Sequence, residues 1–408
     1  MKKIFYGWWI VAVCFFFALC VASIAFFGFT AFFDPLVREF GWSYAQVSLA
    51  ASLRGLEMGI FAPFLGFFVD RFGGRKLMFG GILIFGLGLI LLSFTRSLTM
   101  FYASFILVGL GGGACTNVVL MSVVANWFNK KIGTALGIMS MGFGASGLVI
   151  PLIVKLIEVY QWRTALIILG LIMIILGAPL SLLIRNRPED LGLSSDGAAE
   201  PGPAASRQEA AQSDPEMPFR MAFRYRPFLY LNIVEFLRMM GVVAVVTHVM
   251  PYLDTLGFSR DTAGLVAAAI PLASNLGRFG FGWLGDRFEK RFALALAFAA
   301  MGTGLIAFHY AQSGWTIILF LLLFSPGFGG SMVLRGALIR EYFGRATFGR
   351  LIGITMGSAS LGGIVGPTLA GWVFDSTGNY HLTWVFLCAL NLLAILLIWK
   401  IKPMPVRS

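Results

Sequence analysis

Residues 66–76 read Gly66-Phe-Phe-Val-Asp70-Arg71-Phe-Gly-Gly-Arg75-Lys76, and Gly282-Trp-Leu-Gly-Asp286-Arg287-Phe288 returns the same frame 216 positions later. The offset of 216 also carries Gly133, Gly137, Gly147 and Pro151 onto Gly349, Gly353, Gly363 and Pro367. It carries Pro35, Gly41 and Ser43 onto Pro251, Gly257 and Ser259 as well. Shared composition does not keep one offset across three separated regions. The chain is therefore read as two copies of one unit.

The nature of that unit follows from the solvent it suits. Of 408 residues 58% are hydrophobic and 12% charged, with a mean hydropathy of +0.84, whereas a soluble domain carries about 25% charged residues. Twelve apolar runs recur, over 6–33, 45–69, 77–95, 98–126, 132–157, 164–184, 227–253, 261–285, 292–311, 315–339, 351–374 and 383–399. A hydrocarbon core of about 30 Å needs roughly 20 helical residues. An all-α membrane protein is expected, with twelve transmembrane helices in two pseudo-symmetric six-helix halves. The first run begins at Tyr6 and has no small-residue cleavage site, so it reads as a retained helix. Residues 185–226 are rich in Pro, Ala, Ser and Glu and cannot bury a core. They divide the chain into an N-terminal half (1–184), a linker (185–226) and a C-terminal half (227–408).

The formal charge of +12 sorts by loop. With the N-terminus inside, 22 of the 31 Lys and Arg fall on the cytoplasmic side. The opposite side holds only Arg38, Arg96, Lys155, Arg163 and Arg260. This is the positive-inside pattern, and it places both termini in the cytoplasm. The basic balance reports topology in a lipid bilayer, so no nucleic-acid partner is expected. Cys14, Cys20, Cys115 and Cys388 all lie in apolar runs without metal-ligand spacing, and neither metal nor cofactor is expected. There is no phosphate loop, no His-Glu-x-x-His site and no nucleophile motif, which argues against an enzyme and against nucleotide-driven transport. Duplicated six-helix halves are instead the architecture of many secondary transporters.

The run Gly66 to Lys76, with its second copy at Gly282 to Arg291, resembles the loop signature between helices 2 and 3 of the major facilitator superfamily. A narrower resemblance is to the monocarboxylate transporters and their oxalate/formate-type bacterial relatives. It is carried by Tyr6-Gly-Trp-Trp-Ile10, Phe32-Phe-Asp-Pro-Leu-Val-Arg-Glu-Phe-Gly-Trp-Ser43, Arg187-Pro-Glu-Asp-Leu-Gly192 and Arg278. In that family the arginine of helix 8 binds the substrate carboxylate, and the resemblance gives that role to Arg278. The animal members have an acid one turn earlier, where Ser274 stands, and a lysine in helix 1, where Phe26-Phe-Gly-Phe29 has none. Both are tied to proton coupling there. The resemblance also implies a latch at Asp70-Arg71 and Asp286-Arg287, between helix ends. The short loops resemble members of the bacterial inner membrane.

Arg278 also stands out without the family. At 1.5 Å per residue it lies about 12 Å inside Asp286 on the eighth span, too deep for easy snorkelling. Placing arginine at the centre of a membrane helix costs about 2.5–3.5 kcal/mol, so such a residue is expected to face a polar cavity. A guanidinium offers a planar fork that matches a carboxylate. Ser274 and Asn275, four and three positions earlier, share its face as neutral hydrogen-bonding neighbours.

Other polar residues in the spans have two readings each. Arg54 with Glu57, and Glu235 with Arg238, have i, i+3 spacing and pair on a helix face, yet Glu57 and Glu235 are also the deep acids available to carry a proton. His248, followed by Pro251, suits either a proton relay or packing. Asn117, in the middle of the fourth span after Gly111-Gly-Gly-Ala-Cys115, bonds either a substrate hydroxyl or a neighbouring helix. Phe26, Phe27, Phe29 and Phe32 offer an apolar wall for a small substrate body. Gly142–Gly147 and Gly357–Gly363 are small-residue faces for close helix packing. Arg335, near the end of the tenth span, is expected to snorkel.

The reading that emerges is a monomeric secondary active transporter of small monocarboxylates such as lactate or pyruvate, with proton symport and Arg278 as anchor. A carboxylate exchanger of the oxalate/formate type, and a membrane receptor on a transporter scaffold, are the alternatives.

Overall fold

The computed structural model describes residues 5–197 and 218–401, except for the side chains at 27, 30, 34, 44, 45, 48–59 and 260. Among the described residues every regular element is a helix. Among the residues that repeat at the offset of 216, Gly41 with Ser43 and Gly257 with Ser259 mark where helices stop and start. Helix α1 (Tyr6–Val21) runs through irregular helical turns into α2 (Phe33–Phe40), which ends at Gly41 in the left-handed region (φ 66°). Ser43 then opens α3 (Tyr44–Phe72) with a capping box: its Oγ accepts from the Gln46 N–H at 3.2 Å, and its own N–H donates to Gln46 Oε1 at 2.9 Å. In the second copy Gly257 takes φ 83°, and Ser259 Oγ accepts from the Thr262 N–H at 3.2 Å. The recurrence of glycine and serine is thus the recurrence of a left-handed turn and an N-cap.

After α3 come α4 (Gly74–Ser93) and α5 (Leu98–Gly113). The fourth span is not one continuous helix, as the sequence suggested. It breaks at residues 114–116 and resumes as α6 (Asn117–Ala125), because a triple glycine gives the helix little propensity and Thr116 adopts extended backbone at the restart. Asn117 is therefore the first residue of a helical segment. Then follow α7 (Ile132–Ala145), α8 (Ile150–Ile172) and α9 (Ala178–Leu182). Within α8, Gln161 (φ 65°) breaks the helix between the fifth and sixth spans. Trp162 Nε1 donates to Glu39 Oε2 at 2.6 Å, and Arg163 Nη2 donates to Glu39 Oε1 at 2.7 Å and to the Thr95 carbonyl at 2.9 Å. Desolvation pushes the Glu39 carboxyl up, but these donors outweigh it and hold the group below its ordinary value.

A short α10 (Phe219–Arg224) precedes α11 (Arg226–Thr255), α12 (Arg260–Arg287), α13 (Lys290–His309), α14 (Gly314–Phe343), α15 (Phe348–Thr377) and α16 (His381–Lys400). Nine of the described helical runs are long and apolar enough to cross a membrane. The other three of the twelve expected spans are the second (α3), the eighth (α12) and the fifth, whose apolar helix, Ile132–Leu148, is shorter. The protein is a multi-pass all-α membrane protein.

The chain forms two compact units. One comprises Met1–Asn129, Ile138–Ala210 and Phe348–Gly353; the other comprises Lys130–Gly137, Ala211–Thr347 and Ile354–Ser408. Each unit thus includes one short segment from the opposite half of the sequence. In the second unit an aromatic core stacks Phe308 on Phe320 (4.3 Å between centroids) and sets Tyr252 edge to face against Trp384 (5.2 Å).

Candidate functional site

Arg278 lies on α12 in the second unit and is 5% exposed. The serine one turn before it sets the direction of its fork. Ser274 Oγ donates its proton to the Pro271 carbonyl at 2.6 Å, which turns a lone pair toward Arg278 Nε at 3.4 Å. Ser274 is fully buried. The sequence placed it among the substrate-binding residues; in the structure its hydroxyl bridges the Pro271 carbonyl and the Arg278 guanidinium. Asn275 is half-buried, and its Oδ1 has no partner among the described residues.

The wall opposite Arg278 comes from α14, through a stretch the sequence reading passed over, Pro326-Gly-Phe-Gly-Gly-Ser331. A Cβ on Gly277 would overlap the Pro326 carbonyl, and one on Gly329 would overlap the Ser274 carbonyl. Glycine at these positions lets the two backbones meet. The contact brings Met332 Sδ to 3.5 Å from Arg278 Nη1 and the Phe328 ring to 5.9 Å from its Cζ. The same ring lies 5.8 Å from Cζ of Arg238 on α11. Two guanidinium groups therefore share one aromatic surface.

Arg238 belongs to a buried ion cluster. Its Nε donates to Glu235 Oε2 at 2.8 Å and its Nη2 to Oε1, the i, i+3 pair expected from the spacing. Oε1 also accepts from Nη1 of Arg335 on α14. Arg335 does not snorkel: it is 1% exposed, because α14 continues to Phe343 and carries it eight residues inside the helix end. Glu235 and Arg335 are separated by 100 residues, so nothing in local spacing announced the pair. Both oxygens of Glu235 are held by guanidinium groups.

His248 is bonded at both ring nitrogens. Nε2 lies 3.1 Å from the Pro367 carbonyl, which can only accept, and Nδ1 lies 3.1 Å from the Tyr380 hydroxyl. Asn117 belongs to the first unit, is 9% exposed, and has an Oδ1 without a partner among the described residues. Phe27, Arg54 and Glu57 have side chains outside the described set.

The two Asp-Arg motifs repeat one geometry at the common offset. Asp70 accepts from the N–H groups of Gly349 (2.9 Å) and Arg350 (3.0 Å), all within the first unit. Asp286 accepts from Gly133 (2.6 Å) and Thr134 (2.7 Å), all within the second. A carboxylate at the amino end of a helix satisfies orphan amides and complements the dipole. Arg71 and Arg287 do not join these bonds in the same way: Arg71 lies over Phe67 and Phe72 (5.9 and 5.7 Å), and Arg287 over Trp283 (4.1 Å).

The Major Facilitator Superfamily model matches residues 15–274 and 236–408. Monocarboxylate transporter 13 of Rattus norvegicus is 28% identical over 384 residues, covering 93% of this chain and 85% of that protein. Monocarboxylate transporter 12 of Homo sapiens is 26% identical over 413 residues, covering 95% and 78%. Among solved structures, a double-tryptophan variant of XylE superposes with TM-score 0.76 at 17% identity, covering 99% of this chain and 97% of that one. The human organic anion transporter MFSD10 gives 0.70 at 17%, covering 96% and 99%.

Proposed function

The chain belongs to the major facilitator superfamily, and from that premise we propose that it moves small monocarboxylates across the membrane by proton symport. The observation that carries the reading is Arg278, buried on α12 with its fork set by Ser274 and flanked by Phe328 and Met332. A guanidinium so placed presents paired donors to a carboxylate, and the ring and thioether suit a small apolar body. The names of its relatives support the same substrate class. Asn275, whose buried oxygen has no partner among the described residues, is the candidate acceptor for a substrate hydroxyl; Asn117 and Phe27 are carried as candidates from the sequence alone. Lactate or pyruvate fits this combination of one carboxylate and one small oxygen-bearing body.

The proton route is assigned to His248, whose Nδ1 faces an exchangeable hydroxyl on Tyr380. Glu235 is assigned to structure, since both its oxygens hold arginines. His248→Ala is expected to flatten the pH dependence of uptake. An unchanged profile would remove His248 from the coupling route.

Asp70 and Asp286 are assigned as latches that release when the transporter changes conformation. Each receives two charge-assisted bonds, worth roughly 1.5–3 kcal/mol apiece. Asp70→Asn and Asp286→Asn should each shift the conformational equilibrium by about tenfold or more. The labelling rate of a cysteine introduced at Ala346 or Lys131 reads that shift, and equal rates in variant and parent would sink the assignment. The transport reading itself is tested by uptake of labelled L-lactate into proteoliposomes with and without an inward proton gradient. Gradient-driven uptake supports symport. Exchange of preloaded carboxylate without a gradient response would make the protein an exchanger.

A further inference from the structure

The ion cluster beside Arg278 holds more positive than negative charge. Arg238 and Arg335 share the single carboxylate of Glu235, and the three are 4%, 1% and 2% exposed. The sharing leaves donors over. Arg238 spends Nε and Nη2 on Glu235 and, among the described residues, its buried Nη1 has no partner, nor has the buried Nε of Arg335. In a planar guanidinium bonded side-on through Nε and Nη2, the remaining Nη1 lies on the edge turned away from the carboxylate. A lone net charge so deeply buried is unfavourable unless an anion meets it. The unpartnered Nη1 is where an anion would be met.

Its position relative to the carboxylate anchor is the second observation. Arg238 and Arg278 approach the same Phe328 ring, at 5.8 and 5.9 Å from its centroid. These three residues and Glu235 lie within the second unit. Resting on the assignment of Arg278 as carboxylate anchor, we propose that Arg238 Nη1 is a second anion anchor, so that the loaded site holds two negative charges. The second charge is either another carboxylate of the same short molecule, or a separate small inorganic anion bound beside a monocarboxylate. Glu235 and Arg335 act as positioning residues: they hold one edge of the Arg238 guanidinium and so aim the other.

The test uses the full chain in proteoliposomes at pH 7.5, with labelled L-lactate uptake inhibited by malonate or by its monomethyl ester. The two inhibitors share a carbon chain and differ by one charge. In the parent, malonate should inhibit about tenfold more strongly than the ester, the gain of one charge-assisted bond. In Arg238→Gln the two should become equivalent, and Arg238→Lys should keep part of the preference. If malonate has no advantage, but replacing chloride by isethionate raises the lactate KM in the parent and not in Arg238→Gln, the second charge is a free anion. If Arg238→Gln and Arg238→Lys weaken lactate, malonate and ester by one common factor with no chloride effect, Arg238 is structural and the inference is overturned. It is overturned too if the parent shows neither a malonate preference nor a chloride effect while still carrying lactate. A parent that takes up no lactate and is inhibited by neither compound instead fails the carboxylate reading itself.

Discussion

Arg278→Ala is expected to lower carboxylate uptake on the order of a hundredfold or more, with the protein still folded. The magnitude follows from the loss of two charge-assisted hydrogen bonds to the substrate. Folding should survive, because removing a guanidinium that is 5% exposed also removes its burial cost. Arg278→Lys keeps the charge but not the planar fork, and Ser274 no longer meets a matching Nε–H, so it should recover only a small part of the activity. Counterflow of labelled L-lactate in proteoliposomes reads the effect with the driving force removed. An Arg278→Ala protein with parental counterflow would take the anchor out of the mechanism, and a protein that loses its monodisperse profile would show that Arg278 holds α12 against α14.

Glu235→Ala is expected to be the most destabilising single change in the second unit. It leaves Arg238 and Arg335 facing each other without the carboxylate that both hold. Breaking a buried ion pair by removing one partner costs about 3–5 kcal/mol, and here one partner serves two. The midpoint of thermal unfolding in detergent should fall steeply. Glu235→Gln combined with Arg335→Gln leaves the cluster with the same net charge as the parent, so the paired variant should unfold above Glu235→Ala. A small shift for Glu235→Ala, or no recovery in the paired variant, would mean that water or lipid headgroups solvate these arginines.

The latch contacts show how a repeat in sequence becomes a repeat in geometry. Asp70 with Gly349 and Arg350, and Asp286 with Gly133 and Thr134, are related position by position through the offset of 216. The sequence marked all of these glycines and both aspartates. It did not say that the aspartate of one copy caps the segment of the other, because capping across the repeat is long-range by 279 and 153 residues. The companion arginines gave a poorer guide. Arg71 and Arg287 stack on aromatic rings, an outcome decided by which surfaces happen to lie within reach.

The sequence by itself determined the class, the helical spans, the duplication and the conspicuous arginine. Each of these is local or periodic: hydropathy over about 20 residues, one fixed offset, and a cation where hydrocarbon makes cations expensive. Only the tertiary structure decided what that arginine meets. Phe328 and Met332 approach it because glycines at 277 and 329 let α12 and α14 touch, and Arg335 leaves its expected path to the surface because Glu235, 100 residues away, offers a carboxylate in the core. Asn117 likewise became the start of a helix because the chain breaks at residues 114–116. Pairing of charges and meeting of helix faces are properties of packing between distant segments, and linear spacing carries no record of them.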